Sequence, residues 1–179
     1  MGDALPSVNL GPSRKVKALT LSSSHTCVIL DDGEVKCWGM NNHGEIGIQA
    51  TQTSKLIPNS VVTISPGRRA QSITSGAAHT CAILDDETVT CWGNSEEIGL
   101  GGVLNPPSHG KVNLGENRKA KTIASRSGRF TCALLDNNDV KCWGQNGLGE
   151  LGLGDVVNRG DHPIKGHEMG DLLPRVQFE

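Results

Sequence analysis

Tyrosine is absent from this 179-residue chain, and its aromatic surface comes from only 2 Phe and 3 Trp. A single large aromatic-rich core is thereby excluded. Leu, Ile, Val and Phe together number 42, a little under a quarter of the chain. That lies above the level of about 20% below which chains stay disordered. Apolar runs stop at four residues, as from Cys27 to Leu30, too short for a helix to span a bilayer. Neither sign of charge dominates. The 17 basic and 19 acidic side chains leave a net charge of −2, so no bulk field draws anionic lipid and no nucleic-acid partner is expected. The opening residues MGDALPSVNLGPSRK lack an apolar core segment, so no signal peptide is expected in this chain. No Cys-x-x-Cys occurs either, the cysteines offer no zinc site, and no metal site is expected in the chain.

What the chain does have is glycine, 23 residues of it, and an internal repeat. HTCVILDDGEVKCWG begins at His25, HTCAILDDETVTCWG at His79 and FTCALLDNNDVKCWG at Phe130, at offsets of 54 and 51 residues. Matching elements lie upstream (KVKALTLSSS, AQSITSG, KAKTIASRSG) and downstream (NNHGEIGI, EEIGLGG, GQNGLGELGLGD). The opening MGDALPSVNL returns as MGDLLPRVQF from Met169, so the chain begins and ends at one phase of the repeat. One array over 1–179 follows, with units of about 1–54, 55–105 and 106–168, and 169–179 as the start of a fourth. Each unit shows period-two patterning broken by turn residues, which predicts short strands and little helix.

The hairpin register is fixed by its own side chains. A three-residue loop at Asp31-Asp32-Gly33 sets Cys27 opposite Cys37 and Ile29 opposite Val35. The same register gives Cys81, Ile83, Val89 and Cys91, then Cys132, Leu134, Val140 and Cys142. Every face is then wholly apolar, and a one-residue slip destroys this. The loop's last position favours a left-handed residue, which Gly33 supplies, Asn138 tolerates and Glu87 fits poorly.

These motifs resemble the regulator of chromosome condensation repeat, in the variety whose two Cys flank the hairpin. The resemblance covers about 1–179 and recurs three times. It implies an all-β fold of three tandem blades forming an open, partial β-propeller, since family members usually close about seven blades. It also implies an alternative function, guanine-nucleotide exchange on a small GTPase.

Six Cys fall as the pairs Cys27/Cys37, Cys81/Cys91 and Cys132/Cys142. Either they are cross-strand disulfides of an exported protein, or they are buried thiols of a cytoplasmic one. The even count and facing register favour disulfides and, slightly, an extracellular or cell-surface location. Gly147 to Gly152 reads G-x-G-x-x-G, but Gly154, Gly160 and Pro163 follow where a dinucleotide site needs a helix. No cofactor is expected. His25 and His79 share a position with Phe130, which points to packing or a backbone hydrogen bond. Trp38, Trp92 and Trp143 recur as interblade core. Arg14, Lys15 and Lys17, then Arg68 and Arg69, then Arg118, Lys119 and Lys121 precede the inner strands. Acidic residues recur at the hairpin tips, so two oppositely charged edges are expected, the basic one a partner-binding rim. No catalytic set assembles, so no enzyme is expected. The reading is a non-catalytic repeat scaffold that binds an unidentified protein, a fragment of a longer repeat protein. Its uncovered end blades are expected to self-associate.

Overall fold

The computed structural model describes residues 4–48, 53–101, 109–162 and 165–178. The first unit folds as β1 (Val16–Leu21), β2 (His25–Leu30), β3 (Val35–Met40) and β4 (Ser54–Lys55), one antiparallel sheet in sequence order. The second repeats it with β5 (Ala70–Ser75), β6 (His79–Leu84), β7 (Val89–Gly93) and β8 (Gly110–Lys111). The third has three strands, β9 (Ala120–Ala124), β10 (Phe130–Leu135) and β11 (Val140–Gly144). Its fourth strand is reduced to a single bridge between Gly144 and Arg159. The fold is all-β, and its sheets do not close into a ring.

The expected register is the observed one. Cys27 faces Cys37, Cys81 faces Cys91 and Cys132 faces Cys142, and each pair is joined as a disulfide. The turns are built alike. Gly33, Glu87 and Asn138 donate their N–H to the carbonyls of Leu30, Leu84 and Leu135. One residue earlier, the side chains of Asp32, Asp86 and Asn137 accept the N–H of Glu34, Thr88 and Asp139, a local bond that short polar side chains make in turns. Glu87 does take the left-handed conformation, at φ +64° beside +80° for Gly33 and +68° for Asn138. Its Cβ makes that conformation cost about 1 kcal/mol relative to glycine.

The glycine after each Trp has no such latitude. Gly39, Gly93 and Gly144 sit at φ +112°, +116° and +106°, and a Cβ there runs into the carbonyl oxygen of Ser24, Ala78 or Arg129. The close approach lets Met40, Asn94 and Gln145 donate their N–H to those same carbonyls.

The hydrophobic core lies between blades. One cluster joins Cys27, Ile29, Val35, Cys37 and Ile46 of the first unit to Val62, Ala82, Leu84 and Trp92 of the second. A second joins Cys81, Ile83, Val89, Cys91 and Ile98 to Val112, Ile123, Ala133, Leu135 and Trp143. The apolar hairpin faces of the first and second blades are therefore each covered by the following blade, as nearest-neighbour repeat architectures require. The final segment packs onto the third unit. Val176 donates its N–H to Val140, as Val62 does to Val35 and Val112 to Val89.

Candidate functional site

Hydrogen bonds cross each blade boundary from a shared set of positions. At the first boundary, Thr80 Oγ1 donates to the Glu45 carbonyl at 2.9 Å, and Trp92 Nε1 donates to the same oxygen at 2.9 Å. Because the Thr80 proton is spent there, His25 Nε2 carries its own proton and donates it to Thr80 Oγ1 at 2.9 Å. His25 Nδ1 is then an acceptor, and Ser22 Oγ lies 2.7 Å from it. The backbone adds Ala70 N–H to the Gly33 carbonyl at 2.9 Å and, at the second boundary, Ala120 N–H to the Glu87 carbonyl at 3.0 Å. The recurring His is buried, as the packing expectation had it, and its hydrogen bond goes to a side chain of the next blade and not to the backbone. Phe130 cannot make this bond.

Burial pushes the His25 imidazole down to about 4, and the charge of His79 pushes in the same direction. The folded value lies below the ordinary 6.5, so the neutral ring contributes its stability above pH 6.5. That contribution is lost as pH falls from 6.5 toward 4, by about 1.4 kcal/mol per unit and about 3 kcal/mol in all. Urea melts at pH 7 and pH 4 are expected to show this extra loss in the wild type but not in His25→Gln. Equal acid sensitivity in the two proteins contradicts the assignment.

The second boundary carries a different arrangement. His79 Nδ1 donates to Glu97 Oε2 at 2.8 Å, and its Nε2 lies 2.7 Å from Thr131 Oγ1. Hydroxyl, imidazole and carboxylate stand in the order of a catalytic triad. All three are buried, with no exposed surface on His79, Glu97 or Thr131, so no substrate reaches the hydroxyl and the arrangement serves as an interblade bond. No such set was evident from the sequence. The available signal was a loop two residues shorter than those of the first and third units. Glu45 and Glu150 accept the N–H of His43 and Leu148 within their own loops. In the shortened loop, Glu97 turns instead to His79, with Arg129 Nε 3.7 Å from its other oxygen.

The G-x-G-x-x-G segment directs four of its N–H groups back to its own loop, to acceptors on Asn146, Gly149 and Glu150. Leu148 donates to Glu150, Gly149 to the Asn146 carbonyl, Leu151 to Asn146 Oδ1 and Gly152 to the Gly149 carbonyl. These are the donors that a phosphate-binding loop turns toward its ligand.

Charge is arranged otherwise than expected. Antiparallel pairing sets Val16 opposite Leu30, so the start of each inner strand lies beside its hairpin tip. The basic and acidic stripes share one rim. Arg14 pairs with Asp31, Asp32 and Glu34, Arg68 with Asp85 and Asp86, and Arg118 with Asp136. Other pairs run from blade to blade, Arg69 to Glu34 at 3.5 Å and Lys119 to Glu87 at 2.8 Å. Arg175 of the final segment reaches Asp139 at 3.1 Å. Lys121 bonds Asn138, and Lys15 and Lys17 are exposed. At the tips, the Glu34 N–H and Arg14 hold the Asp32 carboxyl below the usual carboxylate range, against the effect of desolvation.

The two ends of the array present the halves of one more boundary. On the first blade Leu19 and Leu21 are each 61% exposed, whereas Ile73 is half-buried and Ile123 buried at the position of Leu19, and Ser75 and Ser125 are buried at that of Leu21. Thr26 and Trp38 are half-buried there, while Thr80 and Trp92 are buried. On the last blade Leu134 is 36% exposed, where Ile29 and Ile83 are covered.

The family profile described as "Regulator of chromosome condensation (RCC1) repeat" matches residues 16–45, 70–97 and 121–150, and a second profile of that description matches 32–83. The chain is similar to the RCC1 domain-containing protein RUG3, mitochondrial, of Arabidopsis thaliana, 29% identical over 157 residues. That match covers 82% of this chain and 35% of the relative, so the chain spans about a third of that relative's length. Its fold is similar to that of human WBSCR16, with a TM-score of 0.76 at 18% identity over 93% of this chain and 41% of the other. It is also similar to Prp20p of Saccharomyces cerevisiae, a protein with binding properties toward Gsp1p and histones. There the TM-score is 0.65 at 18% identity over 75% of this chain and 33% of the other.

Proposed function

Since the chain belongs to the regulator of chromosome condensation (RCC1) repeat family, we propose that it is a non-catalytic protein-interaction module. The carrying observation is that one boundary recurs twice inside the chain and its two halves reappear, separated, on the outer blades. The first blade offers Leu19, Leu21 and the counterparts of the Thr and Trp donors. The last offers Leu134 and the half-covered Val140 and Cys132. In a longer polypeptide these faces take adjoining blades. In the 179-residue chain by itself they take a second copy, head to tail, because each face already fits the other. The charged rim, with Lys15 and Lys17 exposed, is the side from which a different protein partner approaches. The binding of Gsp1p and histones by Prp20p supports an interaction role without fixing the partner.

Sedimentation velocity over about a hundredfold concentration range tests the reading. Concentration-dependent association is expected, lost in Leu19→Lys and in Leu134→Lys, both exposed positions whose change leaves the fold intact. A sharply melting monomer at every concentration contradicts docking at the blade faces. Stimulated nucleotide release from a small GTPase by the same protein favours the exchange reading instead.

A further inference from the structure

The connector after the third hairpin is longer than those of the other two units, and the extra stretch beyond Arg159 gathers three metal-ligating side chains. Asp161 is buried, and its two carboxylate oxygens each face an imidazole, Oδ1 at 2.6 Å from His167 Nδ1 and Oδ2 at 3.2 Å from His162 Nδ1. The three ligand atoms lie within 4.8 Å of one another. Backbone bonds hold the loop in this shape. Gly160 turns at φ +73°, donates its N–H to the His167 carbonyl at 2.7 Å and accepts Gly101 N–H at 2.8 Å.

A buried carboxylate needs a compensating positive charge. The nearby guanidinium of Arg159 is committed to Asp155 and to the Val157 carbonyl, and the groups that hydrogen-bond Asp161, the Asn158 side chain and the two imidazoles, include no permanent cation. We propose that Asp161, His162 and His167 form a site for a divalent transition metal of the Zn²⁺ class, with its fourth position open. Two ligands about 2.0–2.1 Å from a tetrahedral ion stand about 3.3 Å apart, which matches the 3.2 Å of the His162 pair and exceeds the 2.6 Å of the His167 pair, so the Asp161 and His167 side chains rotate apart to admit the ion. Two imidazoles and one carboxylate suit zinc-class ions better than Ca²⁺ or Mg²⁺, which favour all-oxygen shells. His162 is exposed on the wall of a cleft of about 400 Å³ that Lys111, Glu168 and Met169 also line, which gives an ion and an exchangeable fourth ligand a way in.

Calorimetric titration of the intact, disulfide-bonded protein with ZnCl₂ tests the site, because no free thiol competes. One equivalent is expected to bind at micromolar concentration or tighter, with affinity reduced at least about a hundredfold in Asp161→Asn and His167→Gln. His43→Gln, in an exposed loop of the first unit, is expected to bind as the wild type does. CoCl₂ is expected to give the strong visible absorption of a tetrahedral site in the wild type and to lose it in His167→Gln. That readout keeps the test valid if Asp161→Asn disturbs the connector. No saturable binding at 100 µM ZnCl₂, or equal binding by wild type and both ligand variants, overturns the site and shows the cluster to be a hydrogen-bonded clip.

Discussion

Protein prepared without reductant is expected to have an intact mass six hydrogens below that of the reduced chain, with no thiol available to a titrant in the native state. Three bridges account for this, Cys27–Cys37, Cys81–Cys91 and Cys132–Cys142, each spanning a sequence separation of 10. In the chain-entropy description, closing so short a loop restricts the unfolded state by about 2.7 kcal/mol. The three loops do not overlap, so their contributions add to about 8 kcal/mol. Domains of ordinary size have total stabilities of roughly 5–15 kcal/mol, so reduction alone is expected to bring this one near its unfolding midpoint at room temperature. The cysteines also sit in the interblade clusters, and replacing a pair by Ala removes packing as well as the bridge. Cys81→Ala/Cys91→Ala is therefore expected to destabilise more than Cys132→Ala/Cys142→Ala, because Cys81 and Cys91 are fully covered while Cys132 is half-buried. Six thiols titrating in the native, unreduced protein contradict the bridges and the extracellular expectation together.

The parts of the molecule that were legible in sequence are those the chain states three times. Hairpin register followed from requiring Cys27, Ile29, Val35 and Cys37 on one face, and two further copies gave the same answer. Trp92 and Trp143 were readable as interblade core for the same reason. Features below the resolution of a repeat comparison were missed. In the pairing of the inner strands, Lys17, Gln71 and Lys121 are each passed over in the register. A bulge of one polar residue looks in sequence like any exposed strand position. The rim was misread because the basic and acidic groups were placed by sequence distance. Pairing brings Arg14 to Asp31 across an antiparallel ladder, and a stripe pattern alone does not show that. Glu97 was missed because its role depends on the missing loop residues and not on its own type. The Asp161, His162 and His167 cluster lies in the extra stretch of the third connector, so the repeat offered nothing to compare it with.

Removing the indole of Trp92 is expected to destabilise the protein by about 3–5 kcal/mol, the usual range for truncating a fully buried large aromatic to Ala. The ring has no exposed surface, and its centroid lies 5.4 Å from that of His109. Its Nε1 donates to the Glu45 carbonyl at 2.9 Å, so Trp92→Ala opens a void between two blades and also deprives that oxygen of a donor. For a chain of this length, each kcal/mol moves Tm by about 2–4 °C, so a fall of roughly 6–20 °C is expected. Two comparisons separate packing from hydrogen bonding. Trp143 is as buried as Trp92, but its Nε1 has no partner among the described residues. Trp92→Phe is therefore expected to cost about 1 kcal/mol more than Trp143→Phe, the net worth of one buried hydrogen bond. Trp38 occupies the same repeat position on the first blade and is half-buried, with no other described blade packed over it, and Trp38→Ala in this 179-residue chain is expected to cost less than half as much as Trp92→Ala. Equal losses at the two positions would place the stabilising contacts of the indole inside its own blade and remove the argument that these blades are held by their neighbours. A small loss at Trp38 accompanied by weaker self-association would identify that ring as part of the face that receives a second copy.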